Sequence, residues 1–179
     1  MNKLVLFSPL LLGIVFNPAQ AAHSIGFNIG GVDRGPDWGG QRHQLVLGVE
    51  SDWFPIEALP ISLAIDSSIS VNQSNERASG MMGLDIGLRG YFPLTPLTSL
   101  TVGFGRTALT VTSVKNSDSS DEQKGDGSGW WAMTGIATPI NQQLDMSVKI
   151  KYTNADISLE NSTNQVDGLG LHVGLAYRW

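Results

Sequence analysis

The chain has 179 residues, enough for one domain with a core of its own. It contains no cysteine, which excludes a disulfide framework, a thiolate metal site and a lipid anchor through an N-terminal cysteine. The formal net charge of −5, with no basic run, gives no footing for nucleic acid.

Residues 1–21 read as a secretory signal. Lys3 is the positive start, Leu4 to Phe16 is the apolar core, and Ala19-Gln20-Ala21 is a small-x-small cleavage site. The mature domain would then occupy 22–179. The apolar run is short for a membrane span, and no other run suits a membrane helix. The destination is therefore the periplasm, the outer membrane or the exterior.

From there the sequence alternates. Strand one is predicted over His23 to Val32, with Ile25, Phe27 and Ile29 opposite Gly26, Asn28 and Gly30. A polar loop follows from Asp33 to Gln41. Strand two, Arg42 to Trp53, sets Leu45, Leu47 and Val49 against Gln44, Gly48 and Glu50. A Pro-bearing connection covers Phe54 to Pro60. Strand three, Ile61 to Asn72, sets Ile61, Leu63, Ile65, Ser67, Ile69 and Val71 against Ser62, Ala64, Asp66, Ser68 and Ser70. Gln73 to Gly80 reads as a second loop. Strand four, Met81 to Phe92, sets Met82, Leu84, Ile86, Leu88 and Phe92 against Gly83, Asp85, Gly87, Arg89 and Tyr91. Pro93 to Pro96 is a tight turn.

Strand five, Thr98 to Thr112, changes parity: Leu100, Val102 and Phe104 lie on one face, Leu109 and Val111 on the other. Ser113 to Gly129 reads as the longest loop. Strand six, Trp130 to Ile140, has mixed faces and no readable orientation. After a turn over Asn141 to Asp145, strand seven, Met146 to Thr153, sets Met146, Val148, Ile150 and Tyr152 against Ser147, Lys149, Lys151 and Thr153. Asn154 to Asp167 is a fourth loop. Strand eight, Leu169 to Trp179, alternates without a break: Leu169, Leu171, Val173, Leu175, Tyr177 and Trp179 against Gly170, His172, Gly174, Ala176 and Arg178.

The large residues share one face and the small or charged ones the other. A half-solvated soluble sheet would put its bulk inside; a barrel in lipid puts the apolar face outward and the small, polar face in the lumen. At the C-terminus, His172, Gly174, Tyr177 and Trp179 fill the order polar, Gly, aromatic, aromatic that resembles the assembly signal of bacterial outer-membrane barrels; Trp179 stands where Phe is commoner. The mature chain is similar to the small eight-stranded class that includes the OmpA barrel, OmpX and Ail. The resemblance implies an all-β fold: a closed antiparallel eight-stranded transmembrane barrel of up-and-down topology, with short periplasmic turns and longer outer loops. It also implies the outer membrane as location, outer-membrane lipid and the barrel assembly machinery as partners, and a monomer.

In this setting the parity change of strand five means either a bulge near Gly105 or a strand that continues above the membrane, and it leaves Arg106 unplaced. Trp53, Phe54, Phe92, Tyr177 and Trp179 should gather at the periplasmic end, and Trp130 and Trp131 at the outer end, as aromatic girdles. Every backbone polar group in lipid needs a partner, so the sheet must close, and eight strands leave a lumen that side chains fill.

The inward faces carry Glu50, Asp66, Asp85, Arg89, Lys149, Lys151 and His172. Buried charges of both signs should pair, so these residues are expected to form a polar network that fills the barrel; a gated ion path through it is the alternative. No catalytic constellation stands out: His23, His43 and His172 lack the His-x-Ser arrangement expected of lipid A deacylases. Asp118, Asp121, Glu122 and Asp126 are hard ligands of the kind calcium takes, but their spacing is not that of an EF-hand. No cofactor or metal site is expected.

The function expected is structural or one of surface interaction, of the adhesin or resistance type, with the outer loops facing a possible extracellular ligand. A narrow ion or small-solute channel is the second reading. A soluble secreted ligand-binding barrel is the third, disfavoured because glycines and charges would line its pocket.

Overall fold

A computed structural model describes residues 23–35, 42–56, 59–73, 77–115, 118–159 and 162–179. The period-two pattern becomes eight strands: β1 (His23–Arg34), β2 (His43–Trp53), β3 (Ile61–Gln73), β4 (Arg77–Thr95), β5 (Thr98–Lys115), β6 (Asp118–Pro139), β7 (Leu144–Leu159) and β8 (Ser162–Arg178). Each is antiparallel to the next, and β8 returns to β1, closing the barrel. The two ends of the strand order meet in reciprocal bonds: Trp179 N–H donates to the His23 carbonyl at 3.1 Å and His23 N–H to the Trp179 carbonyl at 3.4 Å.

The register fixes the stagger. Stepping between paired residues leads from Ser24 to Asp52, Ala64, Gly87, Gly105, Trp131, Thr153 and Gly168, and back to β1 at Arg34, ten residues beyond Ser24. This shear tilts the strands by about 40°, and a barrel of eight strands leaves a lumen that side chains can span. We call the end that carries His23 and Trp179 the lower end.

Around the lower and middle barrel, Phe27, Leu47, Ile65, Leu84, Phe104, Val148 and Leu171 are among the apolar side chains turned outward and exposed. Burial does not stabilise these residues in water, and such a continuous apolar belt marks a lipid-facing surface. Their strand neighbours Asp66, Asp85, Arg89, Lys149 and His172 are buried inside.

The strands run beyond the boundaries that polarity suggested. Most of the stretches read as loops, Gln73–Gly80, Ser113–Gly129 and Asn154–Asp167, are strand, and the outer excursions are long hairpins rather than long loops. Polarity misled there because the faces exchange roles. Pairing of β5 runs past Gly105 on both sides without a bulge, so the strand continues upward. Above Arg106 its inward residues Leu109 and Val111 are buried while Ala108 and Thr110 are exposed. Met81, Leu109, Val111, Ala155, Ile157 and Val166 meet in one buried cluster. Outside the same segments stand Asp126, Ser128, Asp156 and Ser158. The lower barrel is apolar outside and polar inside; the upper parts of β5 and β7 are the reverse, while on the β1–β3 side Arg34 Nε and Ser70 Oγ stay buried and donate to Gln44 Oε1 at 3.4 and 2.8 Å.

The aromatic assignments divide. Trp53, Tyr177 and Trp179 are exposed at the lower end and Trp130 at the upper end. Trp131 does not join the girdle: it is fully buried in the lumen with Ala64 and Met133. Adjacent residues on a strand face opposite ways, so the pair Trp130-Trp131 had to split. The Trp131 ring lies across a floor of glycines; a methyl on Gly87 would fall 2.7 Å from it and one on Gly103 3.0 Å.

Candidate functional site

The lumen of the lower and middle barrel concentrates the chain's buried charge. Its centre is Arg89, whose side chain is 0% exposed. From β4 the guanidinium crosses β3 to reach β2. Nη1 donates to Asp52 Oδ2 at 2.9 Å, Nη2 donates to Asp66, and Glu50 Oε2 lies 3.9 Å away. Asp52 is the most heavily bonded carboxylate: Tyr91 Oη donates to its Oδ2 at 2.6 Å, Ser62 Oγ to its Oδ1 at 2.7 Å and Ser24 Oγ to its Oδ2 at 3.3 Å.

Two lysines on β7 cross the lumen to the opposite wall. Lys149 pairs with Glu50 on β2, and Lys151 pairs with Asp85 on β4. Asn28 Nδ2 completes the first pair, donating to Glu50 Oε1 at 3.0 Å. Lys151 Nζ also lies 5.4 Å from the centre of the Trp131 ring, a cation–π position. Below them Arg178 Nη2 donates to Asp145 Oδ1 at 2.7 Å.

The seven lumen residues predicted from sequence thus all face inward. Glu50, Asp66 and Arg89 share one cluster, tied to Lys149 through Glu50; Lys151 and Asp85 form a second pair above it. His172 is buried in the same lumen without a hydrogen bond to any of them; its ring lies in the space left by Gly30 and Gly170. Sequence reasoning missed Asp52, although it has the parity of Glu50 and so the same face. It also missed Trp131, for which the pattern of strand six gave no orientation.

Two small cavities lie in this lumen among the described residues. One of about 50 Å³ lies above the network, lined by Asp66, Asp85, Lys151 and His172 below and by Val46 and Leu109 above. The other, about 40 Å³, lies beneath it among Asp52, Phe54, Tyr91, Asp145 and Arg178. Glu50 and Lys149 line both, so this ion pair is the partition between them. Each cavity has room for a few waters. Above the upper cavity the apolar cluster of Met81, Leu109, Val111, Ile157 and Val166 occupies the β4, β5, β7 and β8 side of the barrel, and buried Arg34, Gln44 and Ser70 occupy the other.

The other sequence candidates lie apart. His43 Nδ1 is 3.5 Å from Asp33 Oδ1 on the exposed upper rim, beside the Arg42–Asp33 pair. Of the acidic residues weighed for calcium, Asp118, Asp121 and Glu122 lie on β6, and Asp126 accepts a hydrogen bond from Thr110 Oγ1 at 2.7 Å. Among the described residues no three His, Asp or Glu side chains come together as a metal site. No helix there is long and apolar enough to cross a membrane.

Comparison with known proteins agrees with this geometry. The family model described as outer membrane protein beta-barrel domain matches residues 9–178. No curated protein matches the chain. Among solved structures, Neisserial surface protein A superposes with a TM-score of 0.69 at 11% identity, over 89% of this chain and 98% of that one. OprG from Pseudomonas aeruginosa gives 0.61 at 12% identity, over 90% and 98%. Ail, the attachment invasion locus protein of Yersinia pestis, gives 0.60 at 10% identity, over 89% and 99%. At these identities the likeness is one of fold.

Proposed function

Because the chain belongs to the outer membrane protein beta-barrel domain family and resides in the outer membrane, we propose that it is a non-conducting barrel whose work is structural or done at the outer rim, as a surface-interaction protein of the adhesin or resistance type. One observation carries this reading: the lumen is closed twice, by the Glu50–Lys149 and Arg89 pairs across the lower barrel and by the apolar cluster around Leu109 and Ile157 in the upper barrel. Unpairing buried charges is costly, and in the upper barrel an ion would meet the apolar cluster on one side and the already bonded Arg34–Gln44–Ser70 set on the other. The lumen charges then serve as ties between opposite walls. In the same reading residues 1–21 are a cleaved signal, the C-terminal residues His172, Gly174, Tyr177 and Trp179 engage the barrel assembly machinery, and the barrel is a monomer that needs no cofactor. We assign it no catalytic role.

The second reading is a narrow channel, favoured by the polar stretch from Arg178 to His172 and its two cavities. Conductance in a planar bilayer decides between them. The refolded protein should be silent, and Arg89→Ala should be silent too, because the Glu50–Lys149 partition and the apolar cluster survive it. Steady conductance from the unaltered protein would overturn the closed reading. Conductance only in Arg89→Ala would make the network a gate and give the function to the channel.

A further inference from the structure

Arg106 is the basic residue that the sequence could not place. It is exposed on the outer face of β5, at the level where the outward side chains change from apolar to polar: Phe104 lies below it, Ala108 and Thr110 above. Its strand partners are Ile86 and Trp130. Trp130 is 45% exposed, and its ring centre is 5.3 Å from that of Tyr152 on β7. Asn154 on β7 is the partner of Trp130, and one rank higher Ser128 on β6 pairs with the exposed Asp156.

Among the described arginines, buried Arg34 donates to Gln44 Oε1 at 3.4 Å, and three others face carboxylates. Arg42 faces Asp33, Arg89 faces Asp52 and Asp66, and Arg178 faces Asp145. The Arg42 guanidinium donates to Asp33 and holds that carboxyl below its ordinary pKa. Among the described residues no carboxylate pairs with Arg106. A lone guanidinium beside hydrocarbon is unfavourable unless its head reaches an anion at the interface, and two amphipathic rings next to it fix that interface at its own level.

We infer that Arg106, Trp130 and Tyr152 form a headgroup site for a phosphorylated lipid of the outer leaflet. The phosphate lies against the guanidinium, whose planar fork suits a phosphate better than an ammonium would. The acyl chains run down over Phe104 and Ile86. Ser128 and Asn154 face the sugar or glycerol oxygens. The site rests on the outer-membrane placement and not on whether the lumen conducts.

The test compares two forms of one lipid, bisphosphorylated lipid A and the same lipid with its phosphates removed. Each is added to the refolded full-length protein in neutral detergent, and retained lipid is counted by native mass spectrometry. The unaltered protein should retain the phosphorylated form about tenfold more, the effect of one charge-assisted contact. Arg106→Gln should abolish that preference, Arg106→Lys should keep part of it, and Arg42→Gln, which removes an already paired charge, should leave it intact. Excess inorganic phosphate should not displace the lipid. The proposal falls if the unaltered protein shows no preference, if Arg106→Gln keeps it, if Arg42→Gln loses it equally, or if inorganic phosphate alone displaces the lipid.

Discussion

Arg89 shows how much a single residue can carry. Its guanidinium answers carboxylates from two strands, and one of them, Asp52, also gathers three hydroxyl donors. Replacing Arg89 by Ala would leave Asp52 and Asp66 buried without their counter-ion. We expect a loss of about 3–5 kcal/mol, read as a lower urea midpoint for the transition between folded and unfolded mobility on gels. The double variant Arg89→Met with Asp66→Asn should recover part of that loss, since both members of one pair are then neutral. At this scale the sequence was legible up to a limit. Parity alone puts Glu50, Asp66, Asp85, Arg89, Lys149, Lys151 and His172 inside. It cannot say which carboxylate meets which cation, because that depends on register and stagger across strands far apart in the chain.

Among the elements, β5 and β6 are the instructive ones. Their pairing keeps one register from Ser99 to Val114, yet each serves two environments. Below Arg106 the outward residues meet lipid; above it Leu109 and Val111 turn inward as core. Leu109→Ala should therefore destabilise the barrel by about 2–5 kcal/mol. Its exposed neighbour should tolerate Ala108→Ser within about 0.5 kcal/mol. Equal urea midpoints for the two variants would refute the exchange of faces. A polarity pattern cannot show where a strand ends when the solvent outside changes partway along it, and this is why the glycine- and serine-rich first half of β6 reads as loop. β8 was read most fully, since all of its lower part lies within one environment. Its last residue Trp179 bonds to His23 on both sides of the seam. Deleting Trp179 should lower the amount of heat-modifiable, folded protein in the outer membrane; unchanged amounts would show that neither the seam nor the terminal signal needs it.

For the whole molecule, closure was legible because lipid forbids a free edge, and the strand count followed from the turns. The double occlusion was half legible. The charged part follows from the inward faces of the lower strands, whereas the apolar part arises, Met81 of strand four aside, from residues assigned to a loop or to strand five, whose faces change parity. A second variant tests the upper cluster: with both charged ties removed in Arg89→Ala with Lys149→Ala, a barrel occluded only by charge would conduct in a planar bilayer, and silence is expected.

The pairing of β1 with β8 has a kinetic side. Every other contact in the sheet joins strands adjacent in sequence, and each can form as a hairpin once its two strands are available. The seam joins residues as distant as Ser24 and Arg178, so its loop-closure entropy is the largest in the molecule. Until it forms, β1 and β8 each present an unsatisfied edge inside a medium that offers no hydrogen bonds. The barrel should therefore linger as an open sheet and then snap shut. During that interval a separate strand with the sequence of β8 would compete for the edge of β1, the one moment at which this otherwise edgeless protein is open to capture.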